Sequence, residues 1–391
     1  MYGYYLNYDG VECSVYESQV LTLYKLLKKS MDIKLINFNR SEGFNKNFKD
    51  KCTDSDIYSI IKNKKYDFII DKNHIESVKS IIQNERKKDD KIILHCRGIY
   101  GSYIGIKIKQ QLEQYNIKVI ADFRGATIEE YKLRFEDTGI IKKLMIYNLI
   151  IFIRHIEKFV YRNSDFVLCV SNKLKQYLFD NYGAKKDIFV IPTCLDINRG
   201  NFCLQDRARI REQYKLEDKF VFVYCGGGQK WQCPDKVVHE FSILKRYISN
   251  AYLLILTKDN EVFQKYLSDI NSEDYLILSV SHSDVSKYLS GCDCAFLIRE
   301  NNMTNTVASP TKFAEYLNCS LPVIVSRGIG DIDYIIDKYK VGIYLTDFDS
   351  NVKSKIINVV KENFKTAISK YYSWDKNIKK ILIIYNNIFN I

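Results

Sequence analysis

Ser309-Pro310-Thr311-Lys312-Phe313-Ala314-Glu315-Tyr316-Leu317-Asn318-Cys319-Ser320-Leu321-Pro322-Val323-Ile324-Val325 reads as a loop, a short helix, a turn and a strand. Pro310 disfavours helix at Ser309 and suits the first helical turn. Phe313, Tyr316 and Leu317 recur at helical spacing, and 321–325 is a short buried strand. Lys312 and Glu315 then stand near a helix N-terminus, where free amides and the dipole attract an anion. A carboxylate there accepts hydrogen bonds from sugar hydroxyls while Lys312 meets a phosphate, which is what a nucleotide-sugar site requires. The same spacing fits an amphipathic helix that turns one Lys and one Glu to water, and spacing alone leaves the two readings level.

Outward from this stretch, strand-like runs alternate with helical or loop segments. In the first half they are 2–8, 33–38, 66–70, 91–95, 118–121, 166–170 and 189–191. The second half has 220–224, 252–256, 275–280, 294–298, 321–325 and 341–344. A helix is expected from about Gln19 to Lys29, and another with a strong apolar face from Trp374 to the end. Such alternation implies parallel sheets covered by helices on both faces. The expected fold class is α/β, with two doubly wound Rossmann-like domains facing each other across a cleft. The expected domains are 1–195 and 218–373, joined by a linker with one charged helix at 196–217.

The 391 residues, 46% of them hydrophobic, suffice for two domains with a core each. A formal charge of +12 suits anionic partners such as nucleotide diphosphates, lipid phosphates or an anionic membrane. Neither zinc-finger spacing nor an RNP-like aromatic motif is present, so no nucleic-acid partner is expected. The eleven Cys sit largely in or beside apolar runs, such as Cys169 in 166–170 and Cys294 before Ala295-Phe296-Leu297. With no Cys-x-x-Cys pair, they read as small hydrophobes of a reduced cytosolic protein. Met1 to Asp9 lacks the pattern of a signal peptide, and the most apolar stretch, 144–153, is too short to span a bilayer. The expected location is cytoplasmic, or peripheral on the inner face of the cell membrane.

Three further constellations carry chemistry. After the run 220–224 comes Cys225-Gly226-Gly227-Gly228-Gln229-Lys230-Trp231-Gln232-Cys233-Pro234. Its glycines let backbone amides approach a ligand, although a plain strand-to-helix turn explains them too. Arg299 follows the strand 294–298 and Ser281-His282 another, and ligands of open α/β sheets gather at carboxyl ends of strands. Arg299 is placed for a diphosphate and His282 for a base. In the first half, His95-Cys96-Arg97-Gly98 and Asp122-Phe123-Arg124-Gly125 both close apolar strands, with Glu129 and Glu130 beyond.

Asp54/Asp56, Asp331/Asp333 and Asp347/Asp349 raise a metal question. Each is read as leading into a helix, where Asp caps the amides, and no metal site is expected. Residues 131–162 are basic and apolar together: Lys132, Arg134, Lys142, Lys143, Arg154, Lys158 and Arg162 surround 144–153. This segment fits an anionic membrane surface, or a packed helix with snorkelling cations.

The segment 309–317, followed by Leu321-Pro322-Val323-Ile324, resembles the donor-site segment of GT-B glycosyltransferases of the family 4 type. The resemblance implies that Glu315 holds the ribose of a nucleotide diphosphate sugar, most often a UDP-sugar. Backbone amides before Glu315 would hold the diphosphate, with Ser309, Pro310, Thr311 and Lys312 lying along it. The family's usual earlier Glu, eight residues upstream, is Val307 here. Its Gly-Arg-Leu…Lys segment matches the glycine loop, with Gly227 and Gln232 at the basic positions and Lys230 as nearest substitute. A family His that touches the transferred sugar falls near Arg124, with His95 on the neighbouring strand. His95, Arg124 and Lys312 are thus the expected catalytic residues. Gly226, Gly227, Gly228, Lys230, His282, Arg299 and 309–312 with Glu315 are the expected donor contacts.

The implied reaction is retaining hexosyl or N-acetylhexosaminyl transfer without metal or cofactor. The acceptor would be a cell-surface polysaccharide, a glycolipid or a lipid-linked oligosaccharide bound by the first domain, onto which the final helix crosses back. A catalytically silent subunit of the same fold, binding a partner enzyme or membrane, and a UDP-sugar epimerase remain alternatives.

Overall fold

The computed structural model of the chain describes all residues except 14, 41–53, 63–69, 136–138, 186, 360 and 390–391. Contacts divide the chain into two units. One comprises Met1–Pro192 with Asn377–Ile391, the other Thr193–Lys376.

In the first unit the strands are β1 (Tyr2–Asn7), β2 (Asp32–Asn39), β3 (Ile57–Ile61), β4 (Lys91–Arg97), β5 (Asn116–Phe123), β6 (Phe166–Cys169) and β7 (Ile188–Val190). They form one sheet in the order β3-β2-β1-β4-β5-β6-β7, with every described pairing parallel. Strands covered on both faces read as continuous apolar runs, and five of the six residues of β1 are buried. The order reverses between β1 and β4, where doubly wound sheets open a crevice at the carboxyl ends.

Two expectations need correction here. The edge strand β3 was not among the expected runs, and Asp54 and Asp56 lead into it instead of a helix. Both pair with Lys28, at 2.6 and 2.8 Å. The helix expected over 19–29 is instead a π-helical turn, Tyr16–Leu21, continued by an α-helix over Thr22–Lys28. The strand expected at 66–70 lies almost wholly outside the described residues.

The second unit has β8 (Phe220–Cys225), β9 (Ala251–Leu256), β10 (Tyr275–Leu278), β11 (Cys294–Leu297), β12 (Val323–Val325) and β13 (Gly342–Tyr344). Their order is β10-β9-β8-β11-β12-β13, again parallel, with the reversal between β8 and β11. Apolar clusters line both faces. One carries Val221, Val223 and Phe313, the other Phe222, Tyr224 and Phe241. Each such side chain removed from water contributes about 1.5–3 kcal/mol.

The segment read as a linker contains the helix Leu204–Gln213, and it is anchored in this unit. Arg207 and Arg211 both bind the Asp293 carboxylate, at 2.6 and 3.1 Å, just before β11. The final helix, Trp374–Asn387, begins in the second unit and continues in the first. Its Ile381, Ile384 and Tyr385, with Ile388 just beyond its end, form a buried stripe at helical spacing.

Candidate functional site

The helix Thr311–Asn318 starts directly after Pro310 and buries Phe313, Ala314, Tyr316 and Leu317. That burial turns Lys312 and Glu315 to the opposite side. Lys312 Nζ lies 2.7 Å from Glu315 Oε2, and His282 Nε2 lies 4.0 Å from Glu315 Oε1. Burial disfavours the Lys312 charge, but the Cys225 sulfur and the Glu315 carboxylate outweigh it and its pKa is raised. The Cys225 thiol is pushed up in turn, first by burial. The pair therefore sits beside the last residue of β8, next to the reversal of the sheet.

Tyr316 fixes that placement. Its hydroxyl accepts the Cys225 N–H at 2.9 Å and donates to the Cys225 carbonyl at 3.4 Å. Sequence reading treats Tyr316 as one more apolar position. The signal for its role is a hydroxyl on an otherwise hydrocarbon face.

The glycine loop is held from within. Gly226 N–H is donated to the Leu256 carbonyl and Gly228 N–H to Asp259 Oδ2, at 3.1 and 2.7 Å. Of the three expected donor-binding amides, Gly227 alone has no such bond among the described residues. A Cβ at Gly228 would meet Val262 at 2.9 Å, so this glycine answers to packing inside the unit. Tyr224 Oη steadies the loop by donating to the Gly227 carbonyl at 2.6 Å. Lys230 stands exposed on the single 3-10 turn Lys230–Gln232.

Arg299 follows β11. Its N–H is donated to Ser326 Oγ at 2.9 Å, and that hydroxyl is donated to the Arg299 carbonyl at 3.0 Å. The Arg299 guanidinium leans to the Gln232 carbonyl, 3.5 Å from Nη1, so the loops after β8 and β11 meet at this side chain. Ser309 is engaged by Thr193, whose hydroxyl donates to the Ser309 carbonyl at 2.7 Å. Val307 is fully buried, so an aliphatic side chain packs where the related motif has its first Glu.

The loop after β12 is pressed against Ala308. Gly330 has φ +48°, and a Cβ there would lie 1.8 Å from the Ala308 carbonyl oxygen. Only glycine fits.

In the first unit His95 is buried. It is 1% exposed, its Nδ1 lies 2.6 Å from Tyr385 Oη, and its ring packs 4.8 Å from that of Tyr5. Tyr385 belongs to the final helix, which covers the imidazole. The His95 expected to be catalytic therefore lies buried beneath the final helix.

Arg124 is the accessible member of this pair of strand ends. It lines a pocket of about 440 Å³ together with Tyr8, Asp9, Glu12, Tyr100 and Glu130. Asp122, a buried residue that sequence reading leaves without a role, holds Arg124 from below, 3.3 Å from its Nη1. Burial opposes the Asp122 charge, yet Arg124, then His95 and Arg97, keep its carboxyl below the usual carboxylate range.

Among the described residues no group of three or more His, Cys, Asp or Glu is placed to hold a metal ion. Asp333 and Asp347 accept backbone N–H groups of Gly328 and Tyr344, and Asp349 pairs with Lys355 at 2.7 Å.

Similar solved structures span nearly the whole chain. Anabaena HepE in complex with UDP covers 99% of this chain and 100% of its own, at TM-score 0.69 and 13% identity. Sucrose-phosphate synthase from Thermosynechococcus elongatus covers 100% of both, at 0.68 and 13%. A glycosyltransferase from Rickettsia africae covers 99% and 98%, at 0.67 and 16%. Together with two parallel doubly wound sheets, these likenesses decide the architecture.

The fold is GT-B.

Residues 206–381 of this GT-B chain match the family model of glycosyl transferases group 1. That match contains the glycine loop, His282, Arg299 and the helix Thr311–Asn318. An uncharacterized glycosyltransferase of Methanocaldococcus jannaschii is 23% identical over 249 residues, which cover 60% of this chain. The aligned part spans 62% of that relative's length.

Proposed function

We propose that the chain is a retaining, metal-independent glycosyltransferase that takes a UDP-sugar as donor. The observation that carries this reading is the Lys312–Glu315 pair, set beside the end of β8 by the Tyr316 hydroxyl. It lies within the residues matched by the glycosyl transferases group 1 model. The complexes of the similar HepE with UDP and with UDP-glucose support a uridine nucleotide as donor.

In this reading Glu315 accepts hydrogen bonds from the ribose hydroxyls, and His282, 4.0 Å from it, lies toward the base. Lys312, Arg299, Lys230 and the Gly227 N–H meet the diphosphate. These cations and amides take up charge as the sugar–phosphate bond breaks, which is where preorganised donors lower a barrier most. The acceptor hydroxyl attacks the face that the diphosphate leaves, and its proton passes to a departing phosphate oxygen. No protein base is then needed. The transferred group is a hexosyl or N-acetylhexosaminyl unit.

The acceptor, a polysaccharide, glycolipid or lipid-linked oligosaccharide, belongs to the first unit in this reading. No helix among the described residues is long and apolar enough to cross a membrane. The helix Ile140–Asn163 leaves Tyr147, Ile151 and Phe152 exposed, followed by exposed Arg154, Lys158 and Arg162. An apolar patch next to a basic one suits peripheral contact with an anionic bilayer.

Thermal unfolding with UDP, GDP, CMP, ADP and TDP, with and without EDTA, tests the donor site. A ligand of the folded state raises the unfolding temperature by mass action. The expected result is a shift with UDP that EDTA leaves unchanged and Glu315→Ala abolishes. No shift with any nucleotide would overturn the reading in favour of a silent subunit.

A further inference from the structure

Thr257-Lys258-Asp259 follows β9, the neighbour of β8 in the sheet, and Asp259 stands directly before the short helix Asn260–Gln264. An Asp in that position ordinarily accepts an N–H of its own helix. Asp259 makes no such bond. Its Oδ2 accepts the Gly228 N–H instead, at 2.7 Å and thirty-one positions back in the chain. A cap has been forgone for a bond to the glycine loop.

The backbone of Asp259 is itself tied down. Its N–H is donated to Thr257 Oγ1 at 3.1 Å, and its carbonyl accepts the Val262 N–H at 3.1 Å. The Thr257 N–H in turn is donated to the Leu278 carbonyl of β10 at 2.9 Å. The carboxylate is thus offered to the loop from a bend anchored on the sheet, and an ionised carboxylate can only accept.

That bond decides how one peptide group lies. The group between Gly227 and Gly228 is planar, with its C=O and N–H pointing opposite ways. Its carbonyl accepts the Tyr224 hydroxyl at 2.6 Å and its N–H goes to Asp259, so both ends are pinned. The group between Cys225 and Gly226 is pinned likewise, by Tyr316 on the carbonyl and by the Leu256 carbonyl on the N–H. The other two groups from Cys225 to Gln229 present the N–H of Gly227 and of Gln229. Neither N–H has a hydrogen bond among the described residues. Glycine backbone turns freely, so without Asp259 the central group can rotate and carry both neighbours with it.

We propose that Asp259 is a positioning residue of the donor site. It fixes the Gly227–Gly228 peptide so that the N–H groups of Gly227 and Gln229 stay open to the donor's diphosphate, and this rests on the donor site proposed above. The loop needs Asp259 as an acceptor and not as an anion, since a carboxylate near a diphosphate repels it.

Calorimetric titration of UDP and of uridine into the full chain tests this. Asp259→Ala should weaken UDP about tenfold, as expected for the loss of a hydrogen bond to a charged group, and leave uridine within about twofold. Asp259→Asn keeps an acceptor and removes the charge, so it should bind UDP at least as well as the wild type. With isotope-labelled glycine, the wild-type Gly227 amide resonance, assigned by its loss in Gly227→Ala, should shift with UDP and not with uridine. UDP affinity unchanged in Asp259→Ala, equal losses for UDP and uridine, or Asp259→Asn as weak as Asp259→Ala would each overturn the inference. So would a Gly227 amide indifferent to bound UDP, a result that needs no Asp259 variant to fold. A wild type that binds no nucleotide would overturn the donor reading itself, and the role of Asp259 with it.

Discussion

The hydroxyl of Tyr316 bonds both the N–H and the carbonyl of Cys225, ninety-one positions earlier in the chain. One side chain thereby ties the helix that carries Lys312 and Glu315 to the end of β8. Tyr316→Phe keeps the ring and removes both bonds, leaving the buried Cys225 N–H unmatched. The expected cost is about 1–3 kcal/mol in urea unfolding, together with a raised KM for the donor. Unchanged stability and donor KM would show that the contact positions nothing.

Lys312 and Glu315 should be separable by ligand. With Lys312 on the diphosphate and Glu315 on the ribose, Lys312→Met should weaken UDP by about tenfold and barely affect uridine. Glu315→Gln should weaken both. Calorimetric titration of the two ligands into each variant reads this directly, and equal losses for UDP and uridine in Lys312→Met would refute the assignment.

Gly330 is predicted to tolerate no side chain. Gly330→Ala meets the Ala308 carbonyl at less than van der Waals distance in a left-handed backbone conformation. The expected destabilisation exceeds about 2 kcal/mol in chemical denaturation. The loop after β12 should shift, which a change in Arg299-dependent UDP binding would reveal.

Glu157 gives the first unit a pH dependence. It is 1% exposed, its Oε1 accepts the Tyr182 hydroxyl at 2.9 Å, and its Oε2 has no hydrogen-bond partner among the described residues. Burial pushes its carboxyl up to about 7, against the Tyr182 hydrogen bond and with help from Glu130 and Glu129. The unfolded chain releases this proton near pH 4.3. Between that pH and about 7 the folded state holds a proton that the unfolded state has lost, so stability falls as pH rises and stays lower above 7. Glu157→Gln should therefore stabilise the protein at pH 8, by up to about 3 kcal/mol, and leave it nearly unchanged at pH 4.5. Urea unfolding of both proteins at the two pH values decides it.

What the sequence makes legible follows from how local each signal is. Strands such as Phe220–Cys225 are buried along their whole length, so they read as unbroken apolar runs. The edge strand Ile57–Ile61 is largely uncovered and carries Tyr58 and Ser59, and its pattern is correspondingly weak. Lys312 and Glu315 are one helical turn apart, and their proximity can be read directly. His95 looks available at a strand end because the residue that covers it, Tyr385, is 290 positions away. The pocket around Arg124 escapes for the same reason: Tyr8, Glu12, Tyr100 and Glu130 converge only through the topology of the sheet.

The bond between His95 and Tyr385 also bears on synthesis of the chain. The first unit contains Met1–Pro192 but needs Asn377–Ile391 to finish, with the whole second unit made in between. At about 5–20 residues per second, a ribosome spends roughly 10–40 seconds on that interval. Throughout it, His95 and the strand ends around it wait without their cover. A nascent first unit thus exposes this surface for that whole interval, and a truncation before Tyr385 would leave it in that state permanently.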